Sequence, residues 1–223
     1  MVINKESFSW CCFDISRQLS SSFGSEWADN IIDYAEKNLK KTPIVPRSTT
    51  SREKNRDGII NTALVDGVRI KEDIPWLYSL YRQDFLELAK QVTNQILVCA
   101  ANDLYGINLN IQAGSSMRYE CHVDSNPVQG MLYITTHLPE EGGQLHVANN
   151  VDAKNVDDVM KDCATIQPSK GLLVFFDARR HSHYVTALNN NKSLRVAAAM
   201  NFYTPTSPES HRPPDLTKHL GLI

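Results

Sequence analysis

The chain has 223 residues, a formal net charge of −2 at pH 7 and a hydrophobic content of 42%. This length fits one domain, or a compact domain with an N-terminal addition, and the hydrophobic share excludes a disordered chain. A pI near 6.4 excludes the basic surface that is typical of nucleic-acid-binding proteins. Because no apolar run approaches the length of a membrane span, we also expect no association with a membrane.

Five cysteines are present, an odd number without the spacing of a zinc site. We interpret the adjacent Cys11 and Cys12 as reduced thiols rather than as a disulfide. The N-terminus includes an acid and has no long apolar core, which argues against a signal peptide. The sequence therefore predicts a reducing, cytoplasmic location, and it leaves the oligomeric state open.

The N-terminal portion, residues 1–106, has the apolar spacing of helices. Ser25 is predicted to be the N-cap of a helix that continues through Lys41. Pro75 is predicted to open a second helix, whose apolar side chains recur every three or four residues to about position 101. Between the two helices, residues 47–58 are polar without periodicity and are predicted to form a long loop.

From Ile107 onward the pattern changes to short β-type segments separated by turn residues. The predicted strands are 107–112, 115–122, 130–137, 143–148, 163–167, 171–177, 183–188 and 193–203. Residues 150–162 alternate poorly and are interpreted as an excursion with one helical turn. Eight such strands predict a double-stranded β-helix, or jelly roll.

The predicted fold class is therefore α+β, mainly β. The jelly-roll core spans residues 107–204, and the helices of residues 1–106 pack on one of its faces. Residues 205–223 are rich in proline and are predicted to form an extended tail that covers the mouth of the barrel. Together these parts are predicted to make a single structural domain.

His122 and Asp124 stand two positions apart at the end of a predicted strand. Since alternate residues of a strand share one face of the sheet, both side chains should emerge together. His183 opens a later predicted strand, and Arg195 lies in the apolar run that forms the last one. Two histidines and one carboxylate can bind iron(II) and leave the opposite face of the ion open. A cation on the last strand could hold the far carboxylate of a dicarboxylic co-substrate bidentately.

The order of these motifs resembles that of the iron(II)/2-oxoglutarate-dependent oxygenases over about residues 107–204. The shared blocks are His122-Val123-Asp124, Glu141-Gly142-Gly143-Gln144-Leu145, Pro168 to Phe176, His183-Tyr184-Val185 and Arg195. The resemblance implies that His122, Asp124 and His183 are the catalytic metal ligands and that Arg195 binds the 5-carboxylate of 2-oxoglutarate. Fe(II) is then the cofactor, and 2-oxoglutarate and O2 are the co-substrates.

Within this family the compact core resembles enzymes that act on free amino acids or small metabolites, and it has features of prolyl-4-hydroxylase-like domains. The related halogenases carry a small residue at the position of Asp124. The carboxylate in this chain therefore implies oxygenation rather than halogenation.

Several neighbouring side chains are secondary candidates. Tyr119 is predicted to face inward with His122 and to bind 2-oxoglutarate or the substrate, with core packing as the alternative. His181 competes with His183 for the distal ligand position, and we favour His183 because a continuous strand follows it. Weaker pocket candidates are His137, His146, Asn201, Tyr203 and Thr186. Arg179, Arg180 and the loop residues Arg52, Lys54 and Arg56 are interpreted as solvated, with the loop as a possible lid.

The predicted function is hydroxylation of an unactivated C–H bond in a small molecule, either a free amino acid or a natural-product intermediate. A peptide or protein side chain is the second substrate class, and desaturation, cyclisation or C–C cleavage would use the same metal site. Two alternatives come from other classes. A cupin-like metal-binding protein would keep His122 and His183 without needing Arg195, and a structural jelly roll would need none of them.

Overall fold

The computed structural model describes residues 8–44, 49–53 and 60–216, which contain twelve strands and seven α-helices. The strands are β1 Trp10–Asp14, β2 Lys41–Ile44, β3 Ile60–Val65, β4 Val98–Cys99, β5 Ile107–Ala113, β6 Tyr119–His122, β7 Val128–Tyr133, β8 Leu145–Ala148, β9 Cys163–Ile166, β10 Leu172–Phe176, β11 His183–Val185 and β12 Leu194–Tyr203. The helices are α1 Ser16–Phe23, α2 Trp27–Lys37, α3 Gly67–Asp73, α4 Pro75–Arg82, α5 Asp84–Thr93, α6 Asp103–Gly106 and α7 Val156–Lys161.

The strands form two sheets. The larger sheet has the order β1-β10-β7-β12-β5-β3-β2, with β4 also paired to β12, and the smaller sheet has the order β6-β11-β8-β9. Every ladder between these strands is antiparallel. This architecture confirms the predicted α+β, mainly β fold with a double-stranded β-helix core.

The alternation of β12 shows how the two faces of the larger sheet are used. Val196, Ala198 and Phe202 belong to a core cluster that also contains the buried side chains of α1, α2, α4 and α5. Ala197 and Ala199 point the opposite way, into a second cluster between the sheets. Burial of a large apolar side chain contributes about 1.5–3 kcal/mol, so the packing of the helices fixes which face of β12 is turned toward the smaller sheet. The prediction that helices pack on one outer face is thereby confirmed.

The eight strands predicted from Ile107 onward are all present, with ends that differ by a few residues. The helical turn predicted within residues 150–162 is α7. Four further strands, β1 to β4, were not predicted. They extend the larger sheet with N-terminal segments, so residues before Ile107 contribute strands as well as helices.

The prediction of one long helix from Pro75 to about position 101 is wrong. The helix does begin at Pro75, which occupies its first turn, but it is interrupted at Gln83, whose φ and ψ are −122° and −85°. The second piece ends at Asn94, which adopts the left-handed conformation, a common way to stop a helix. The remaining residues include Cys99, which pairs with Phe202 in the larger sheet.

The first predicted helix is also shorter than expected. Its residues form α2, and the N-cap position is Glu26 rather than Ser25. The chain after α2 becomes strand β2, which contains Pro43. Proline is tolerated there because β2 is an edge strand that needs hydrogen bonds on one side only. Much of the predicted loop 47–58, including Lys54 and Arg56, lies outside the described residues.

Candidate active site

The smaller sheet brings His122, Asp124 and His183 together. His122 is the last residue of β6, His183 is the first residue of β11, and the two are direct partners in the ladder. Asp124 follows β6 by two residues, and its backbone N–H donates to the carbonyl oxygen of Ala178 at 2.9 Å. Antiparallel pairing therefore places residues from distant parts of the sequence at one point.

The three side chains have the geometry of a metal-binding group. One ligand atom from each lies within 4.8 Å of the others. Nε2 of His122 is 3.4 Å from Oδ1 of Asp124, and Nε2 of His183 is 3.6 Å from Oδ2 of the same carboxylate. The alternative distal residue, His181, is not part of this group.

Both imidazoles are oriented by backbone carbonyl groups. Nδ1 of His122 lies 2.7 Å from the carbonyl oxygen of Glu120, and Nδ1 of His183 lies 3.0 Å from that of His181. Because a carbonyl oxygen only accepts, each Nδ1 must carry the hydrogen. Nε2 of each ring is then the nitrogen that faces Asp124, and it can bind a metal once it carries no proton.

The charges of the three groups are coupled. Burial lowers the pKa of His122, but the Asp124 carboxylate outweighs that effect and raises the pKa to about 9. Burial, together with the neighbouring His122, lowers the pKa of His183 to about 4. Burial would raise the pKa of Asp124, but its hydrogen bond to His122 keeps it below the usual value. Without a metal, a proton on His122 thus stabilises the carboxylate, and a divalent cation would replace that proton.

Residues 50–53 hold the strand that carries His122. The N–H of Arg52 donates to the carbonyl oxygen of Cys121 at 2.7 Å, so this segment pairs with the free edge of β6. Glu53, whose side chain is 1% exposed, accepts two hydrogen bonds from the Arg118 guanidinium at 2.8 and 2.6 Å. It also accepts one from the N–H of Cys121 at 2.7 Å. This ion pair, in which Glu53 is buried and Arg118 partly exposed, holds the edge of β6 that does not pair with β11.

Arg195 is fully buried at 0% exposure. None of its three guanidinium nitrogens has a hydrogen-bond partner among the described residues. Its guanidinium carbon lies 5.3 Å from the centre of the Tyr133 ring, and the Tyr133 hydroxyl is also buried without a partner. A buried cation without a hydrogen-bond partner is costly, so this pair of residues has the chemistry of a carboxylate-binding site.

Tyr119 faces the cavity between the sheets, as predicted. It is three residues before His122, and strict alternation would place the two on opposite faces. The ladder between β6 and β11 shifts register at this point, with His183 opposite His122 and Val185 opposite Tyr119. This bulge turns both side chains inward. The Tyr119 hydroxyl donates to the carbonyl oxygen of Ala63 at 2.8 Å, so only its acceptor capacity remains for a ligand.

The cavity opens beside the metal-binding group. It is lined by residues of both sheets, of α6 and of the C-terminal tail, the last represented by Pro213 and Leu216. Asn201 and Tyr203, two of the weaker candidates, line it as well. Sequence reasoning missed Asn108, Asn110, Gln129 and Tyr133. Alternation along β5 and β7 could have indicated them, because each stands on the inward face of its strand.

Other candidates lie elsewhere. His146 stacks on Tyr184, with ring centroids 4.9 Å apart, and His137 lies 3.1 Å from the carbonyl oxygen of Leu194. Thr186 donates to the side chain of Gln144. Arg180 forms an ion pair with Asp177, Arg179 donates to the carbonyl oxygen of Ser125, and Arg52 donates to that of Thr50.

A family model described as the 2OG-Fe(II) oxygenase superfamily matches residues 107–203. This segment contains the metal-binding group and Arg195. The match assigns residues 107–203 to this superfamily, and these residues carry the site of a 2-oxoglutarate-dependent dioxygenase that uses iron(II). No curated protein matches the chain.

Solved structures of similar fold include proteins with different roles. HygX from Streptomyces hygroscopicus, solved with nickel and 2-oxoglutarate bound, is 13% identical with a TM-score of 0.60, over 93% of this chain and 90% of that one. SnoK, a carbocyclase from nogalamycin biosynthesis, is 15% identical with a TM-score of 0.61, and the match covers 99% of this chain and 91% of SnoK. A prolyl hydroxylase from Trichoplax adhaerens, in complex with a hypoxia inducible factor peptide fragment, is 17% identical with a TM-score of 0.56. The match covers 96% of this chain and 86% of the hydroxylase. Among the described residues, no helix combines the length and apolar character needed to cross a bilayer.

Proposed function

We propose that His122, Asp124 and His183 bind the iron(II) ion. The donor set of two imidazoles and one carboxylate suits iron(II) and leaves coordination positions for other molecules. The hydrogen bonds from both Nδ1 atoms support this assignment, since they leave the two Nε2 lone pairs free for the ion. Their convergence on Asp124 within 4.8 Å is the observation that carries the proposal.

Arg195 is proposed to bind the 5-carboxylate of 2-oxoglutarate. Its planar guanidinium can donate two parallel hydrogen bonds to a carboxylate, and at present it donates none within the described residues. The Tyr133 hydroxyl would donate a third hydrogen bond to the same group. Tyr119 then contributes by shape and as a hydrogen-bond acceptor.

The proposed reaction is hydroxylation of a C–H bond in a small molecule, with a natural-product intermediate or a free amino acid as substrate. O2 is the oxidant: 2-oxoglutarate would supply two of the four electrons that reduce it as CO2 is lost, the substrate C–H bond would supply the other two, and the bound iron would bring the reactants together. In the balanced reaction, 2-oxoglutarate, O2 and R–H give succinate, CO2 and R–OH, with one oxygen atom entering succinate and the other the product. The role of the protein is to hold the substrate C–H near the open coordination side and to exclude water.

Two alternatives use the same site. A neighbour of the same fold is described as a carbocyclase, and a cyclisation or desaturation would remove two hydrogens from the substrate instead of adding oxygen. Another neighbour is bound to a peptide fragment, which keeps peptide hydroxylation as the second substrate class. A cupin-like metal-binding protein would not explain the buried, unpartnered Arg195.

The test is an anaerobic titration of the protein with iron(II) and 2-oxoglutarate. We expect a weak visible charge-transfer band that needs both components, at one iron per chain. A second measurement uses 18O2 with any substrate that stimulates succinate formation, and one labelled oxygen should appear in the product. Absence of the band with fully folded protein would overturn the ligand assignment, and a chlorinated product would overturn the role of Asp124.

A further inference from the structure

The cavity beside the metal-binding group contains an unusual set of polar side chains. Those that line it on the larger sheet and the connecting turn are amides and hydroxyls: Thr62, Asn108, Asn110, Asn126, Gln129, Asn201 and Tyr203. Among the described residues that line the cavity there is no lysine or arginine, and the acids are Glu120 and Asp124. A substrate carboxylate or phosphate placed against these described residues would therefore have no cation among them to balance its charge.

Asn108 and Asn110 are the two amides available to a ligand. Both are on β5 and half-buried, and neither side chain makes a hydrogen bond to a described residue. Asn110 lies directly opposite Ala197, and Asn108 directly opposite Ala199, on β12. Because alanine has only a methyl group, nothing from β12 covers either amide. The other amides are engaged: Asn201 donates to the carbonyl oxygen of Tyr105, and Gln129 accepts from Asn126.

A ligand that displaces water from these two amides must replace the lost hydrogen bonds. Each amide offers an acceptor oxygen and two N–H donors, a combination that matches groups which both donate and accept, such as alcohols. A wholly apolar ligand would leave the amides unsatisfied, at about 1–3 kcal/mol for each buried group. Apolar surface is also present, from Ile44, Ile60, Leu64 and Leu104 and from the tail residues Pro213 and Leu216.

We propose that the substrate is a neutral molecule that carries several hydroxyl groups on an apolar or ring skeleton, such as a glycoside or a hydroxylated ring system, and that Asn108 and Asn110 select it. This inference rests on the proposed function and narrows its substrate class, because it disfavours a free amino acid. An extended peptide is also disfavoured, since side chains of both sheets, α6 and the tail surround the cavity.

The test is ligand binding to the protein loaded with Zn2+ and 2-oxoglutarate, measured by calorimetry. The probes are phenyl β-D-glucopyranoside and phenyl β-D-glucuronide, which have the same ring skeleton and differ by a carboxylate in place of a CH2OH group. A third probe, N-acetylprolinamide, represents a neutral peptide. We expect the glucoside to bind at least about tenfold more tightly than either other probe, a difference of about 1.4 kcal/mol.

Variants identify the residues responsible. Asn110→Asp keeps the size of the side chain but replaces its N–H donors with a charge, and it should weaken glucoside binding at least about fivefold. Asn30→Asp, on the exposed side of α2, adds the same charge away from the cavity and should change nothing. Asn108→Asp serves as the second variant if Asn110→Asp does not fold.

The outcomes separate the two levels of the proposal. If Zn2+ and 2-oxoglutarate bind but the glucoside does not, or if the glucuronide or the peptide probe binds better, the substrate class is wrong and the proposed function stands. If Zn2+ or 2-oxoglutarate fails to bind to folded protein, the proposed function itself is wrong. If Asn110→Asp and Asn30→Asp changed glucoside affinity equally, the proposal that the β5 asparagines select the substrate would be wrong.

Discussion

Gly143 lies directly against the side chain of Arg195. A Cβ atom at Gly143 would be 3.0 Å from Cδ of Arg195 and 3.2 Å from Cδ2 of Leu188, and the residue has a φ of +76°. The second glycine of the Gly-Gly block therefore leaves room for the aliphatic part of the buried arginine. Gly142, the first glycine of the block, is required for a different reason: a Cβ atom at this position would lie 2.2 Å from the carbonyl oxygen of Ala187.

This contact leads to a prediction for Gly143→Ala. The substitution should displace Arg195 and weaken 2-oxoglutarate binding several-fold, in addition to a loss of stability from the positive φ. Gly24→Ala is the matched control, because Gly24 has a φ of +86° and no atom within 4 Å of its would-be Cβ. That control should lose about 1–3 kcal/mol of unfolding free energy through backbone strain alone and keep its 2-oxoglutarate affinity. Equal 2-oxoglutarate affinity in both variants would contradict the packing role.

Arg195→Met should have opposite effects on stability and on ligand binding. It removes a buried cation without a hydrogen-bond partner, so the unfolding free energy of the ligand-free protein should stay the same or rise by about 1 kcal/mol or more. The affinity for 2-oxoglutarate should fall by at least about 2 kcal/mol, roughly thirtyfold, while metal affinity is retained. Arg195→Lys should recover only part of the binding, since an ammonium lacks the planar fork. Urea unfolding and calorimetry measure the two effects, and unchanged 2-oxoglutarate affinity in both variants would rule the role out.

The choice between His183 and His181 is tested by a pair of alanine variants. His183→Ala should abolish tight metal binding, because it removes one of three ligands from the group. His181→Ala should retain the metal, since its Nδ1 contacts the carbonyl oxygen of Ala148 at 2.7 Å and its ring is outside the group. Equilibrium dialysis with Zn2+ gives the stoichiometry. Full occupancy in His183→Ala with loss in His181→Ala would transfer the ligand role to His181.

Metal binding should release a proton near neutral pH. Since Asp124 raises the pKa of His122 to about 9, His122 is protonated at pH 7 to 8 in the metal-free protein and must lose that proton to bind a metal. Metal affinity should therefore rise about tenfold per pH unit between pH 6 and 8.5, as one released proton requires, and level off above about 9. Calorimetry with Zn2+ in buffers of different ionisation enthalpy counts the protons. In the metal-free protein, Asp124→Asn should lower the pKa of His122, which an NMR titration of the imidazole measures. A pH-independent metal affinity in the unmodified protein would contradict the coupling.

Glu53→Gln should weaken metal binding without touching the site. The change breaks a nearly bidentate contact to Arg118, whose side chain is 33% exposed, so the expected loss of unfolding free energy is about 1–3 kcal/mol, below the cost of breaking a fully buried pair. Because β6 carries His122, Zn2+ affinity should fall several-fold at temperatures where the variant is fully folded. Asp158→Asn, which breaks the exposed ion pair with Lys161, is the control and should change neither the unfolding free energy nor the Zn2+ affinity measurably. Unchanged Zn2+ affinity in folded Glu53→Gln would limit the ion pair to stability.

The sequence by itself determined the eight strands from Ile107 onward and the candidate residues His122, Asp124, His183 and Arg195. Period-two alternation and ordered motifs are local properties, so they can be seen without coordinates. The sequence also indicated that Arg195 is the buried cation, because this arginine lies within an apolar strand.

Only the tertiary structure decided which other residues line the cavity beside the metal-binding group and Arg195. The bulge in β6 between Tyr119 and His122 turns Tyr119 inward, and the register between β5 and β12 places Asn110 opposite Ala197. Both features depend on pairing between distant segments of the chain. The end of α5 at Asn94 likewise depended on a competing partner, since Cys99 pairs with Phe202 in the sheet. The local spacing of apolar residues cannot show whether the residues after Asn94 continue the helix or form a strand that pairs with the sheet. The free energy that decides between these two structures comes from contacts that are distant in the sequence.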